Sequence, residues 1–239
     1  MSTVYRLLKS TYRRVAPRRL SAALFGGHTP LSRTVLALKA RLEAGAEHDA
    51  LYDAAYFARQ DRQMAVSADG IAASIRARLP AVHTVVDVGC GSGAILAALG
   101  RAGVSGTGLE YAEAALARCR AKGLTVHKFD IEAEAPPALR ADLALSTEVA
   151  EHLPAARADA YVDMLVGIAD TVVMTAAVPG QGGTDHVNEQ PNAYWIAKFQ
   201  ARGFAHDPSE TEDWRADWSA RGVDRHRARN VMVFRRAAA

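Results

Sequence analysis

Short aliphatic runs alternate with apolar residues at helical spacing through most of the chain. The runs, four to six residues long, predict strands at residues 83–88, 106–109, 124–127, 142–146, 171–176 and 230–235. Helical patterns occupy residues 56–79, 94–99, 112–122, 155–168 and 192–202. This alternation is typical of a parallel sheet covered on both faces. The pattern therefore predicts an α/β fold with a doubly wound, mainly parallel Rossmann-like sheet.

The first 50 residues differ from the rest. Apolar residues stand at helical spacing between basic ones up to Pro17, and a second helical stretch covers residues 31–42. We expect a basic helical arm over residues 1–50, a hinge at 45–49 and one domain over 51–239. Within that domain, the polar stretch 210–229 with Trp214 and Trp218 forms a lid-like insertion or a packed flap.

Composition narrows the class of protein. The chain has 239 residues, 49% hydrophobic and 23% charged, which excludes a disordered or disulfide-stapled chain. An uncharged run, residues 171–184, is 14 residues long, too short to span a bilayer, so we expect no integral membrane association. Two cysteines and the lack of a secretory signal pattern favour a cytoplasmic location.

Charge is distributed unevenly. Residues 1–41 contain nine Lys or Arg and no acidic residue, whereas the remainder contains 20 basic and 26 acidic residues. The mildly acidic charge of residues 42–239 argues against a nucleic-acid partner. The arm is compatible with three roles: contact with an anionic membrane surface, contact with RNA phosphates, or a helical cap or homodimer contact with a solvated basic face.

A glycine-rich turn follows the first predicted strand. The run Asp87-Val88-Gly89-Cys90-Gly91-Ser92-Gly93 ends a strand and opens a helix, so its backbone N–H groups can face a ligand. The glycines also satisfy the dinucleotide-binding fingerprint, and Glu110 would accept from ribose hydroxyls in either a dehydrogenase or a methyltransferase. A tight turn without a ligand is the third alternative.

This run resembles the first motif of class I S-adenosylmethionine-dependent methyltransferases, and the resemblance extends over residues 55–235. It implies that Asp87, Gly89, Cys90, Gly91 and Gly93 hold the methionine part of S-adenosyl-L-methionine. It also implies that Glu110 binds both ribose hydroxyls and that Tyr111 lies beside the adenine. Asp130 would accept a hydrogen bond from the adenine amino group. We include Ile131 and Ser146 in the cofactor site. A turn or cap role is the alternative for Asp130.

Carboxylates and histidines follow the fourth and fifth predicted strands. If Glu148 to His152 forms a helical turn, Glu148, Glu151 and His152 lie on one face. His186 follows the next strand at the same edge of the sheet and could reach the same point. Two carboxylates and two imidazoles are ligands that Mn²⁺, Mg²⁺, Fe²⁺ or Zn²⁺ accepts, so the sequence predicts a divalent metal site.

The spacing E-x-x-E-H with a later histidine resembles the metal site of small-RNA 2′-O-methyltransferases, and ubiquinone-pathway O-methyltransferases share the E-x-x-E-H part. The resemblance implies that Glu148, Glu151, His152 and His186 hold a cation, Mg²⁺ or Mn²⁺, that binds two neighbouring hydroxyls. In the alternative, the glutamates favour a helix N-terminus and His152 is a partly buried histidine with satisfied hydrogen bonds.

These motifs together predict an enzyme. We expect methyl transfer from S-adenosylmethionine to a hydroxyl of a small molecule, namely a sugar, glycan precursor or natural product. His152, His186 and Glu148 are the expected catalytic residues, because a hydroxyl must lose its proton to attack. Two alternatives remain: a metal-independent N- or O-methyltransferase with a histidine base, and a non-catalytic cofactor-binding scaffold.

Overall fold

The computed structural model describes residues 52–183 and 185–237. The chain divides into two units, Met1–Leu51 and Tyr52–Ala239, and the described residues belong to the second. The predicted arm at residues 1–50 and its hinge therefore lie outside the described residues.

The described chain forms a seven-stranded sheet in the order β3-β2-β1-β4-β5-β7-β6. Strands β1 to β5 are parallel, whereas β7 is antiparallel to both β5 and β6. The strands are β1 (Thr84–Val88), β2 (Ser105–Glu110), β3 (Thr125–Lys128), β4 (Leu143–Thr147), β5 (Thr171–Thr175), β6 (Phe204–His206) and β7 (Met232–Arg236). This is the doubly wound, mainly parallel α/β fold that the sequence predicts.

Helices cover the sheet. They are α1 (Ala54–Arg78), α2 (Ala94–Arg101), α3 (Glu113–Ala121), α4 (Ala158–Ile168), α5 (Asn192–Gln200), α6 (Pro208–Ala220) and α7 (Arg225–Asn230), with 3₁₀ turns at Ala150–His152 and Ala155–Arg157. N-cap residues mark where two of these helices begin. The Asp53 carboxylate accepts from the Tyr56 N–H at 2.7 Å, and Asp207 caps α6 ahead of Pro208.

Alternate residues of the central strands pack into two cores on opposite faces of the sheet. Val86, Ala144 and Val172 contribute to one core, and their neighbours Leu143 and Val173 contribute to the other. Because both faces are covered, the central strands contain consecutive aliphatic residues, such as Val85-Val86 and Val172-Val173. This explains why the runs were recognisable in the sequence.

The predicted strands form within two residues of their expected bounds. Three elements have no recognisable sequence pattern: β6, which is three residues long, and the helices α6 and α7, whose sequences are polar. Both Trp214 and Trp218 are fully buried in the core that also contains Ile71 of α1 and Val233 of β7. Their burial favours the packed arrangement of residues 210–229 over a lid.

Candidate functional site

The glycine-rich turn lies at the carboxyl ends of the strands, where the order of the sheet reverses between β1 and β4. Open α/β sheets bind ligands in this crevice. Gly89, Gly91 and Gly93 have φ angles of 73°, 53° and 75°. A Cβ at Gly89 would collide with Val149, so the turn requires glycine there for space as well as for conformation.

Glu110 ends β2 beside this turn. Its Oε2 accepts from the Gly91 N–H at 2.8 Å, and its Oε1 accepts from the N–H groups of Tyr111 and Ala112, both at 2.8 Å. The Tyr111 ring lies next to it, with Lys128 Nζ 5.6 Å from the ring centroid. The structure therefore brings Glu110, Tyr111 and the glycine turn together, as the sequence predicts.

Asp87 lies beneath the turn with 1% of its surface exposed. Its Oδ2 has no hydrogen-bond partner among residues 52–183 and 185–237. Burial, and then the charge of Glu110, raise the pKa of Asp87 to about 7. A buried acceptor without a partner suits a cationic ligand group such as the ammonium of a methionine moiety.

Asp130, Ile131 and Ser146 make structural contacts. Asp130 Oδ1 accepts from the N–H groups of Glu132 and Ala133 at 2.9 and 3.1 Å, so this residue does cap a turn. Ile131 packs against the core. Ser146 is fully buried, donates to the Val88 carbonyl and accepts from Tyr161, both at 2.7 Å, so its side chain ties β4 to β1 beneath the crevice.

Cys90 packs below the turn, as expected from its place in the motif. A Cβ on Gly108 of β2 would contact its sulfur closely. The second cysteine, Cys119 of α3, has its Sγ 3.2 Å from the Gly91 carbonyl. Both are free thiols, and their contacts support the turn from beneath.

Asp61 of α1, which the sequence did not single out, holds the turn from the other side. Its carboxylate accepts from Ser92 Oγ at 2.5 Å, from Arg118 at 2.7 Å and from Lys122 Nζ at 2.8 Å. Lys122 also donates to the Ser92 carbonyl at 2.8 Å. Burial alone would raise the pKa of Asp61, but the hydrogen bonds from Lys122, Ser92 and Arg118 lower it.

Replacing Asp61 by asparagine should destabilise the protein at neutral pH by about 1–2 kcal/mol, because charge-assisted hydrogen bonds to two cations are lost. A lowered pKa contributes stability above the ordinary value of 3.8 and loses it as the pH falls through the folded value. The difference from wild type should therefore shrink below pH 4. Urea unfolding at pH 7 and pH 3.5 measures it. Asp69→Asn is the control, because Asp69 pairs with Arg101 on the exposed side of the same helix; equal losses in both variants would contradict the special role of Asp61.

The second group of residues follows β4, but not as the predicted helical turn. Residues Ala150–His152 form a 3₁₀ turn, and Glu148 before it has a φ of 55°. The Glu148 N–H donates to Thr175 Oγ1 at 2.9 Å, and its carboxylate accepts from Thr175 and Gln181 at 2.7 and 3.2 Å. The shared helical face of Glu148, Glu151 and His152 was therefore a wrong prediction, because Thr175 holds Glu148 in the left-handed region.

Three of the four predicted metal ligands do converge. One ligand atom from each of Glu151, His152 and His186 lies within 4.8 Å of the others, and Glu148 is not part of this cluster. His186 comes from the loop after β5. That loop is fixed because the N–H groups of Val187 and Asn188 donate to the Glu151 carbonyl at 2.9 and 3.0 Å.

Hydrogen bonds set the tautomer of both histidines. His152 Nδ1 lies 3.2 Å from the Asp185 carbonyl and 3.3 Å from the Tyr52 hydroxyl. A carbonyl only accepts, so Nδ1 carries the proton and Nε2 keeps its lone pair. His186 Nδ1 lies 2.9 Å from Glu189 Oε1, which fixes the same tautomer. The two rings are perpendicular, with centroids 5.0 Å apart, and each offers Nε2 as a ligand or base.

Glu151 is a buried carboxyl group for which the backbone of Glu151 and Ala177 and the charge of Arg227 compensate only in part. It is 0% exposed, and neither carboxylate oxygen has a hydrogen-bond partner in the described part of the chain. Burial, and then the charge of Glu148, raise the pKa of Glu151 to about 8. Burial and the neighbouring His186 lower the pKa of His152, so its imidazole is neutral at pH 7. One carboxyl group and two imidazoles are a fitting ligand set for a divalent cation.

Tyr52 lies at the same cluster and was not predicted. Its ring meets those of Tyr56 and His152 edge to face, with centroids 5.0 and 6.3 Å away. Burial, followed by the charges of nearby acidic groups that include Glu110 and Glu151, raises the pKa of Tyr52 well above its ordinary value. The phenol therefore stays protonated beside both groups of functional residues. No local sequence signal links it to residues 100 positions away.

The described helices include none that is long and apolar enough to cross a membrane. A family model described as methionine biosynthesis protein MetW matches residues 71–174, which is less than half of the chain. This match begins in α1 and ends in β5, so it spans the glycine turn and the Glu151 segment. A search among curated proteins finds no match.

Solved structures with the same fold are similar at low identity. Magnesium protoporphyrin IX methyltransferase (ChlM) from Synechocystis PCC 6803, with bound SAH, is 21% identical over 62% of this chain and 76% of its own, with a TM-score of 0.53. DesVI from Streptomyces venezuelae is 19% identical over 80% and 98%, with a TM-score of 0.55. The [4+2]-cyclase SpnF is 14% identical over 72% and 82%, with a TM-score of 0.51. At these identities the likeness is one of fold, and the described chain has the fold of class I S-adenosylmethionine-dependent methyltransferases.

Proposed function

We propose that this protein transfers a methyl group from S-adenosylmethionine to a hydroxyl of a small molecule, with a divalent cation bound by Glu151, His152 and His186. The observation that carries the proposal is the convergence of these three side chains, with both histidine tautomers fixed, at the same sheet edge as the glycine turn. The cyclase among the structural neighbours shows that the fold alone does not specify the reaction, so the site must carry the argument.

The cofactor half of the proposal rests on the crevice at β1 and β2. Backbone N–H groups of the turn and the buried Asp87 would hold the methionine part, and Glu110 would accept from the ribose hydroxyls. When bound, S-adenosylmethionine supplies an electrophilic methyl on a sulfonium. Glu110 already has three backbone donors, which hold its carboxylate at the crevice. Neighbours solved with SAH and SAM support the same choice of cofactor.

The acceptor half rests on proton removal. Displacement at a sulfonium methyl is in line, so the protein mainly orients the nucleophile. An amine attacks once neutral, whereas a phenol has a pKa of about 10 and an alcohol is harder still to ionise. Two imidazole Nε2 atoms and a carboxylate at one point provide the means to hold or remove that proton. This chemistry favours oxygen as the nucleophile, and vicinal diols or catechols as the substrate class.

A metal-independent methyltransferase is the second candidate. The lowered pKa of His152 keeps its imidazole neutral at pH 7, which is the form that a general base requires. In that case single hydroxyls and amines are also possible methyl acceptors. A scaffold without catalysis is disfavoured, because a buried carboxylate that is compensated only in part costs stability, and a scaffold has no use for it. The two free thiols agree with our proposal of a cytoplasmic protein with a small-molecule acceptor.

Methyl turnover tests the proposal. Purified protein with S-adenosylmethionine should methylate catechols or vicinal-diol sugars when Mn²⁺ or Mg²⁺ is present, and chelation should abolish turnover. Single hydroxyls and amines form the comparison panel. Methylation of that panel after chelation would support the second candidate instead, and no methyl transfer to any acceptor would contradict both.

Substitution of His186 by alanine should lower turnover by about 10²–10⁴-fold, because one of the two Nε2 groups at the reaction centre is removed. Affinity for S-adenosylhomocysteine should change less than threefold, since His186 lies outside the glycine turn. Initial rates and calorimetry measure the two effects. His83→Ala is the control, because His83 is exposed just before β1 at the opposite edge of the sheet. Wild-type turnover in His186→Ala would remove this residue from the site.

A further inference from the structure

Glu189 has a contact pattern that neither the sequence nor the proposed reaction accounts for. Its Oε1 accepts from the Gly182 N–H at 2.7 Å and lies 2.9 Å from His186 Nδ1. Its Oε2 accepts from the Gly180 N–H at 2.8 Å. One carboxylate thus joins the start of the loop after β5 to the histidine near the loop's end.

We propose that Glu189 is the positioning residue for His186: it fixes the proton on Nδ1 and directs Nε2 toward Glu151. The inference rests on the proposed function for its consequence in catalysis, because it concerns the same site. The tautomer itself is a property of the free protein. It is therefore measurable without any methyl transfer or any bound cation.

Two attachments of the loop lie beside His186, and only one of them contacts its ring. The main chain on the far side of His186 is bound to the Glu151 carbonyl through Val187 and Asn188. That attachment sets the position of the histidine Cα but leaves the imidazole free to rotate or to change tautomer. The Glu189 carboxylate supplies the missing constraint on the ring. A carboxylate can only accept a hydrogen bond, so the nitrogen that faces it must carry the proton.

The pair is partly buried. The His186 side chain is 11% exposed and the Glu189 side chain is 19% exposed. Removing the carboxylate therefore takes away the acceptor that lies against Nδ1 of the less exposed residue. His152 obtains the same tautomer by a different route, from the Asp185 carbonyl. Both imidazoles thus present the same nitrogen, each through its own partner.

Two variants distinguish a role of Glu189 in orienting the His186 ring from a role in binding the loop backbone. Glu189→Gln keeps an oxygen that can accept from Gly182 and His186 but turns an amide NH₂ toward Gly180, so it retains the histidine bond and loses a loop bond. Glu189→Leu loses the histidine bond and both loop bonds. A role confined to the loop predicts a partial effect for glutamine, which keeps one of the two loop bonds, whereas a positioning role predicts full rescue by glutamine.

The decisive measurement is long-range ¹H–¹⁵N NMR of the histidine rings in the full chain, with His186 assigned by comparison with His186→Ala. We expect the Nδ1–H tautomer in wild type and in Glu189→Gln, and loss of that tautomer as the dominant form in Glu189→Leu. A proton on Nε2 in the wild-type protein overturns the proposal, whether or not any variant folds. An unchanged tautomer in a folded Glu189→Leu also overturns it.

Mn²⁺ affinity, measured by calorimetry, gives the second readout. Glu189→Leu should weaken Mn²⁺ binding by about 10–100-fold, with glutamine close to wild type. In the His186→Ala background the leucine change should add nothing, because Glu189 acts through that ring. If wild-type protein binds no Mn²⁺, the metal part of the proposed function fails, while the NMR result still decides the role of Glu189.

Discussion

Replacement of Glu151 by glutamine is expected to weaken Mn²⁺ binding by at least about 10²-fold, because it removes the carboxylate of the three-residue cluster. Glutamine has nearly the same shape, so packing around the fully buried side chain is preserved. Titration calorimetry of Mn²⁺ into protein saturated with S-adenosylhomocysteine measures the effect. Glu212→Gln is the matched control, since Glu212 is exposed on α6 and pairs with Arg215.

In the absence of a cation, Glu151→Gln should stabilise the folded protein, although it weakens Mn²⁺ binding. A pKa raised from 4.5 to about 8 means that the folded protein loses stability as the pH rises from 4.5 to 8. Glu151→Gln should therefore be more stable than wild type at pH 8 by about 1–3 kcal/mol, and nearly equal at pH 4.5. Urea unfolding in a chelating buffer tests this. A destabilised variant at pH 8 would show that the ionised carboxylate has partners, which would contradict the argument for a cation.

The local part of the architecture was predictable because its causes are local. Strands β1, β4 and β5 are buried on both faces, so each contains a run of consecutive apolar residues that marks its position in the sequence. The strand β6 is an edge strand of three residues, too short to produce a periodic signal. Helix α6 is mostly polar. Its two tryptophans are buried because they pack in the core with residues of α1 and β7, which are distant in the sequence.

In the candidate site, too, some contacts follow from the local sequence and others from tertiary packing. Glu110 and the glycine turn are joined by hydrogen bonds between neighbouring strand ends, which the order of βα units brings together. Glu148 departs from the predicted helical turn because Thr175, on a different strand, holds it at a positive φ. Asp61 lies in α1 and Tyr52 lies just before it, and their partners Ser92 and His152 are 31 and 100 residues further along the chain. Tertiary packing alone determines such pairs.

Substitution of Glu110 by alanine is expected to lower affinity for S-adenosylhomocysteine by about 10²–10⁴-fold. Under the proposed function its carboxylate accepts two charge-assisted hydrogen bonds from the ribose, each contributing about 1.5–3 kcal/mol, and 1.4 kcal/mol corresponds to tenfold in affinity. The carboxylate also accepts from Gly91, so its loss loosens the turn that faces the methionine part. Isothermal titration of S-adenosylhomocysteine measures the affinity, and thermal unfolding verifies that the variant is folded.

The control for this result is Glu113→Ala, three residues further on. Glu113 lies in the first turn of α3, where it is exposed and pairs with Lys128 and Arg120 at 2.7 and 3.8 Å. It shares the charge and the region of the fold but does not face the crevice, so its removal should change affinity less than threefold. If a folded Glu110→Ala binds S-adenosylhomocysteine as tightly as wild type, the crevice at β1 and β2 does not hold the ribose. The shared fold would then be no guide to the cofactor, and the Glu151 cluster would have to be explained by a different reaction.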